Sequence, residues 1–459
     1  MLDNELRLKD SFDLVGRDLK FDKRNAKLYF VDGFCKDEIM VKIMSYFMKA
    51  EEKEIKNLKT TRDFANKFVP YVETDVTAKV DEFVKSVLSG GIGMIVEGYP
   101  EAIIIDARTY PVRSVGEPDN DKVLRGPHDG FVETLVFNTA LIRRRIRDTN
   151  LTMEIHSVGQ KSKTDVVICF MKGKVNEKML SALRKKIDSI TINSLSMSQQ
   201  SLIDCLVPKQ WFNPFPKVRY TERPDAVAAS ILEGSMVVIT DNSPAAMIIP
   251  SGIFDFLQDT NDYYMSPVIG SYMRIIRMAI FGMTMLLVPI WLLLVQNPEY
   301  IPEWLNFIKI EEPNTVPIVA QLFIVEIVID AMRLASINTP QSLSSSFGVI
   351  GALVLGEFAV SAGWFVAEVV LYMAFVALTN FTQPSFELGY AFKLFRMMLI
   401  ALIALFNLWG FIAGIIIVVI ELAVTKTVTG QCYLYPLIPF KGSAISSLLL
   451  INPIKNKNN

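Results

Sequence analysis

The fold class predicted for this chain is α/β plus membrane α-helical. It comprises a cytoplasmic region of two similar α/β subdomains followed by a polytopic transmembrane helical domain. Three observations predict it. The 459 residues combine 51% hydrophobic side chains and a mean hydropathy of +0.32 with 21% charge, a mixture that suggests a polar part joined to a membrane part. Most charges precede residue 278, and the long apolar runs follow it. Within the polar half, one pattern recurs at a fixed spacing.

Taken in chain order, LYFVDGFCKDEIMVKIMSYF (28–47) gives a buried strand, a glycine, then a helix with apolar residues at i, i+3, i+4 and i+7. DEFVKSVLSGGIGMIVEGYPEAIII (81–105) gives an amphipathic helix ending at glycine, a β-branched run, a turn holding proline and a second apolar run. The helical stretch FVETLVFNTALIRRRIRD (131–148) joins this part to the next. GQKSKTD (159–165) reads as a polar hairpin turn, and VICFMKGKVNEKMLSALRKKI (167–187) repeats the strand–glycine–helix order. DAVAASILEGSMVVITDNSPAAMII (225–249) then matches 81–105 at a constant offset of 144, pairing Asp81 with Asp225, Gly90 with Gly234 and Pro100 with Pro244. The expected domains are subdomain 1 over 1–125, a linker helix over 126–150, subdomain 2 over 151–270, a transmembrane domain over 271–424 and a tail over 425–459.

Several function classes find no support. A net charge of −1 gives no argument for nucleic acid. Cys35, Cys169, Cys205 and Cys432 are scattered without metal-ligand or CxxC spacing, so neither a metal site nor disulfides are implied and a reducing compartment is expected. His128 and His156 have no nearby catalytic set, and GGIG (90–93) follows a helix, the wrong context for a phosphate loop. No enzymatic activity and no cofactor are expected. The basic run RRRIR (143–147) suits anionic lipid or phosphate, but reads first as a solvated helix face pairing with neighbouring acids. MLDNELRLKDSFDLVGRDLK lacks the apolar core of a signal peptide, so the polar half is expected in the cytoplasm.

In the apolar half, MAIFGMTMLLVPIWLLLV (278–295) is uncharged and long enough to cross a ~30 Å core, with Pro289 as a tolerated kink. Arg274 and Arg277 precede it and four glutamates follow it, which orients the N-terminal side inward. Further spans are expected at 343–362, 364–381 and 397–420. The segment 316–337 is an amphipathic or re-entrant helix if four spans cross, or a fifth span if it crosses too. The tail's lysines favour the first arrangement, and Lys393 with Arg396 the second.

That segment carries Glu326, Asp330 and Arg333 at i, i+4 and i+7, on one helical face. The first reading is a buried ion pair between Arg333 and the carboxylates that fixes packing. The other is the lining of a water-filled vestibule. Beyond it, Ser344, Gly348, Gly351 and Leu355 form a small-residue stripe, with Glu357 two residues further. Such a stripe suits close helix packing, and equally a narrow pore in a symmetric oligomer with Glu357 as an acidic ring.

Four strings, GPHDGFVETLVFNTALIRRRIRD (126–148), VGQKSKTDVVICF (158–170), FNPFPKVRYTERPD (212–225) and INTPQSLSSSFGVIGALVLGEFAV (337–360), resemble the A-subunit family of bacterial spore germination receptors, the GerA family. VGQKSKTD and VRYTERPD are closest to its stage V sporulation branch. The similarity runs from about residue 11 to about 445, although ELAVTKTVTGQCYLYPLIPF (421–440) departs from many relatives. The resemblance implies a multi-pass protein of the spore inner membrane with a two-part cytoplasmic region. It also implies homo-oligomers that form an ion channel, other germination membrane proteins as partners, and no enzymatic activity.

Two hypotheses follow. One is an oligomeric channel that releases monovalent cations during germination, with Ser344, Gly348, Gly351, Leu355 and Glu357 lining the pore. The alternative is a non-conducting scaffold that assembles germination partners at the membrane.

Overall fold

The computed structural model describes residues 2–21, 24–35, 37–49, 51–55, 58–69, 71, 73–107, 123–207, 211–310, 315–338 and 359–451. The chain divides into two compact units. The first comprises 1–209, 217–251 and 427–431, and the second 210–216, 252–426 and 432–459. The division near 251 falls earlier than the 270 expected from hydropathy.

The first unit contains the same sheet twice. Strands β1 (Leu14–Phe21), β2 (Arg24–Val31), β3 (Thr74–Thr77), β4 (Ile92–Val96) and β5 (Ala102–Ile105) form an antiparallel sheet of order β1-β2-β4-β5-β3. Strands β6 (Leu151–Val158), β7 (Thr164–Met171), β8 (Arg219–Thr221), β9 (Met236–Thr240) and β10 (Ala246–Ile249) repeat that order as β6-β7-β9-β10-β8. Ile92 to Met236 and Ala102 to Ala246 keep the offset of 144 seen in the sequence.

Both sheets are covered on both faces, which explains their apolar runs. The helices are α1 (Asp37–Phe47), α2 (Thr61–Phe68), α3 (Val80–Leu88), α4 (Leu135–Arg145), α5 (Glu177–Asp188), α6 (Gln199–Leu206) and α7 (Pro224–Glu233). In β7, Val166, Ile168 and Phe170 face Leu180, Leu183 and Leu202 of α5 and α6. The alternate residues Val167 and Cys169 face Leu141 of α4 and Val227 and Ile231 of α7. Helix α7 ends at Gly234 with φ +103, as the sequence reading expected of its cap. Its counterpart Gly90, two residues beyond α3, has φ +100.

Helix α4 is not amphipathic because both sheets use it. Ala140 packs in the first core and Leu135, Leu141 and Ile142 in the second. Gly33, at φ +84, lets the first sheet approach, since a Cβ there would lie 3.2 Å from Val136 O. The solvated reading of RRRIR is corrected here. Arg143 is 0% exposed and bound to an equally buried Asp13. It points inward because Val136, Ala140 and Arg143 share one helical face, the face turned to the first sheet. Arg145 Nη2 donates to both carboxylate oxygens of Asp129, each at 2.6 Å.

The second unit is helical: α8 (Pro267–Gln296), α9 (Ile318–Asn338), α10 (Ala367–Phe381), α11 (Phe386–Val424) and α12 (Gly442–Leu449). Helices α8 and α11 are long and apolar enough to cross a membrane. The expected single span 397–420 is overturned, because α11 folds back on itself at Asn407. There φ is 51° and ψ −129°, the first central position of a type II′ turn, which normally takes glycine. The arms 386–406 and 408–424 are antiparallel and so close that a Cβ on Gly410 would lie 1.9 Å from Leu402 O. Asn297, just beyond α8, holds the turn through a reciprocal amide pair with Asn407, at 2.7 and 2.9 Å.

Side-chain contacts fix the direction of each helix. Phe281 meets Phe392 and Thr284 O accepts from Arg396, so α8 runs parallel to the first arm of α11. Thr284 meets Thr379 and Trp291 meets Tyr372, so α10 runs against α8. Glu326 meets Arg396, and Gln321 accepts from Val366 N, so α9 also runs against the first arm. One end of the bundle, with Asn297, Gln321, Val366 and Asn407, is called the turn end. The other, with Arg277, Asp330 and Lys393, is the basal end.

Asn407 supplies a direct test. Asn407→Ala removes the amide pair and keeps the strained backbone, whereas Asn407→Gly removes the pair and relieves the strain. The alanine variant should be the less stable by about 1 kcal/mol, read as a lower thermal midpoint in detergent. Equal midpoints would contradict the turn geometry.

Candidate functional site: an ion-paired cluster in the apolar unit

Helix α9 places Glu326 and Asp330 one turn apart on the side that faces the first arm of α11. Glu326 is only 3% exposed. Arg396, at 0% exposure, donates through Nη2 to both of its carboxylate oxygens, at 2.8 and 2.9 Å. Lys393 Nζ lies 2.9 Å from Glu326 Oε1 and also binds Asp330 Oδ2. Arg396 Nη1 reaches across to Thr284 O on α8 at 2.8 Å. Thr284 Oγ1 in turn donates to Thr379 Oγ1 on α10 at 3.0 Å. Four helical segments therefore meet through one chain of polar contacts inside an apolar core.

The cations on Glu326 come from α11, whereas the sequence reading looked for Arg333. Arg333 lies over aromatic faces, with Cζ 3.9 Å from the Phe386 ring centroid and 5.2 Å from that of Tyr390. In the sequence, Lys393 and Arg396 read only as flanking topology signals. Their spacing of three residues, one turn apart facing an acid pair spaced by four, was the signal that could have found them.

Toward the basal end the cluster borders a pocket between α9, α10 and the start of α11, lined by Asp330, Arg333, Asn380, Gly389, Tyr390 and Lys393. Gly389 shapes it, because a Cβ there would lie 3.2 Å from Gln383 Oε1. Asn380 Oδ1 and both amide atoms of Gln383 are buried without a hydrogen-bond partner in the protein. The arrangement can hold helices in register, and it offers polar atoms to water or a small solute. No group of three or more His, Cys, Asp or Glu side chains suited to a metal occurs among the described residues. Ser344, Gly348, Gly351, Leu355 and Glu357 lie outside the described residues.

Comparison with known proteins gives a full-length match. The sequence matches the family described as Bacillus/Clostridium GerA spore germination protein over residues 3–459. It is 37% identical over 452 residues to stage V sporulation protein AF of Bacillus subtilis (strain 168), covering 97% of this chain and 90% of that protein. It is 30% identical over 371 residues to uncharacterized membrane protein YfkQ of the same strain, covering 80% of this chain and 72% of that protein. A crystal structure of the N-terminal domain of the A subunit of the Bacillus megaterium spore germinant receptor GerK3 aligns at 22% identity. Its TM-score is 0.40, with 54% of this chain and 91% of that one covered.

Proposed function

Because the chain belongs to the GerA family of Bacillus/Clostridium spore germination proteins, we propose that it is a multi-pass subunit of the germination machinery in the spore inner membrane. In this reading several copies assemble, with other germination membrane proteins, into a channel that releases monovalent cations. The α/β unit lies on the cytoplasmic side.

The observation that carries the membrane reading is the distribution of tryptophan. Trp304, Trp364 and Trp409 are 76%, 64% and 76% exposed, and all three stand at the turn end of the bundle. Indoles concentrated at one level suit a membrane–water interface. Arg274, Arg277 and Arg333 lie toward the opposite, basal end, which agrees with a cytoplasmic location for that end. The chain leaves the first unit at residue 251 and returns to it at 427–431, where Lys186 Nζ donates to Val428 O at 2.8 Å. A bilayer crossed by the intervening helices is then crossed an even number of times, with residues 427–431 inside. Helices α8, α9, α10 and both arms of α11 supply five crossings, so an even count takes one more, which the span expected at 343–362 would supply.

The conducting role rests on the stripe Ser344, Gly348, Gly351 and Leu355, with Glu357 as a cation-selecting ring. The scaffold reading has its own support. Glu326, Asp330, Lys393 and Arg396 pair with one another, as a packing device requires. Flux from reconstituted liposomes separates the two. Gly348→Leu and Gly351→Leu should abolish cation release, and Leu355→Ala should leak, with assembly unchanged. Normal assembly with unaltered flux in all three would favour the scaffold.

A further inference from the structure

The two most exposed large apolar side chains among the described residues are adjacent: Trp211 at 97% and Phe212 at 93%. They are not on a loose strand of chain. Asn213 Nδ2 donates to Thr425 Oγ1 at 2.5 Å, and Asn213 Oδ1 accepts from Phe215 N at 3.1 Å. Phe215 is buried, with its ring 5.1 Å from Phe395 and 5.8 Å from Tyr433. Tyr433 Oη donates to Pro216 O at 2.8 Å. Two prolines, Pro214 and Pro216, further restrict the backbone.

Thr425 caps the second arm of α11. The Trp–Phe pair therefore stands just past the end of an apolar helix, at the basal end of the bundle. Other exposed apolar groups occur at that end on the first turns of α8, namely Val268 at 80%, Ile269 at 51% and Tyr272 at 60%. In sequence the pair lies in KQWFNPFPK (209–217), with a lysine at each end.

We propose that Trp211 and Phe212 are an interfacial anchor that inserts into the headgroup–acyl boundary of the cytoplasmic leaflet. The inference rests on the membrane reading above. A rigidly held indole and phenyl ring cost free energy in water, but at that boundary the apolar body is buried while the indole N–H keeps a polar partner. The turn-end tryptophans and this pair would together fix the depth of the bundle from both sides.

The test uses the full-length chain in nanodiscs containing phospholipid brominated near the headgroup end of the acyl chain, or near its terminal methyl. The emission lost in Trp211→Phe isolates Trp211, and Phe212→Trp provides a second reporter at the neighbouring position. Shallow bromine should quench that emission about two-fold, deep bromine much less, and aqueous iodide only weakly. Strong iodide quenching without bromine quenching would mean a water-exposed pair, and quenching by neither would mean a pair covered by protein. Either result overturns the anchor. The emission that remains in Trp211→Phe, from Trp304, Trp364 and Trp409 with buried Trp291, tests the premise separately. If it is quenched by bromine while Trp211 is not, the anchor alone fails. If nothing is quenched, the membrane reading fails with it.

Discussion

Asp13→Ala should destabilise the α/β unit by about 3–5 kcal/mol, because it strands a guanidinium with no access to water. Arg143 Nε lies 2.8 Å and Nη2 3.1 Å from the Asp13 carboxylate. Nη2 also donates to Ser11 Oγ and Leu151 O, and Nη1 to Asp148 O. Ser11 Oγ donates in turn to Asp13 Oδ1 at 2.5 Å and accepts from Met153 N at 3.0 Å. The segment preceding β1 is thereby clamped to β6 of the second sheet, with α4 between the two. Loss of the carboxylate should appear as protease sensitivity in both sheets of the full-length chain, together with a lower thermal midpoint. The double variant Asp13→Ala/Arg143→Met no longer buries a charge, so it should recover part of the loss. Recovery will be incomplete, since the two backbone carbonyls then lack their donor. An Asp13→Ala chain as resistant as wild type would show that the buried pair contributes nothing to cohesion.

How much of this was legible depends on the physics that each residue obeys. The duplication was visible because both copies keep the same order of helix, cap glycine, apolar run and proline turn. Those local rules also dictate the sheet, so the two strand orders coincide. The GerA membership was carried by the four long strings, and the full-length match agrees with it. Arg143 was hidden because a run of arginines reads as a solvated face whatever its partner. The partner Asp13 is 130 residues away and carries no local mark. The signal was faint, namely the helical spacing of Val136, Ala140 and Arg143 beside small, close-packed neighbours.

The turn in α11 was missed for a different reason. Hydropathy scores 397–420 as one uncharged run, but Phe386–Val424 is 39 residues, about twice what a bilayer core needs. Asn407 and Gly410 are the turn chemistry inside that run. Averaging over a window erased them, and the hairpin depends on Asn297, which no local pattern identifies. A buried polar side chain needs a partner, and pairing is a tertiary property.

The cost of stranding a buried charge sets the expected rank of substitutions in the charged cluster. Glu326→Ala leaves Arg396 at 0% exposure without a carboxylate, and leaves Lys393 with Asp330 alone. The cost should be about 3–5 kcal/mol, seen as lost folded protein after purification in detergent. Arg333→Ala removes a stack on Phe386 and should cost about 0.5–2 kcal/mol. An equal or reversed rank would mean that the α9–α11 contact is not held by Glu326. Glu326→Gln/Arg396→Gln then divides the two roles of the cluster. A neutral amide pair can keep a hydrogen bond between the helices without burying charge, so packing should survive in this double variant. If the cluster only fixes helix register, cation release in liposomes stays at the wild-type rate. If ions pass its charged face, release changes while the chain remains folded. That second outcome would place the conduction path along α9 and would tie the ion-paired core directly to transport.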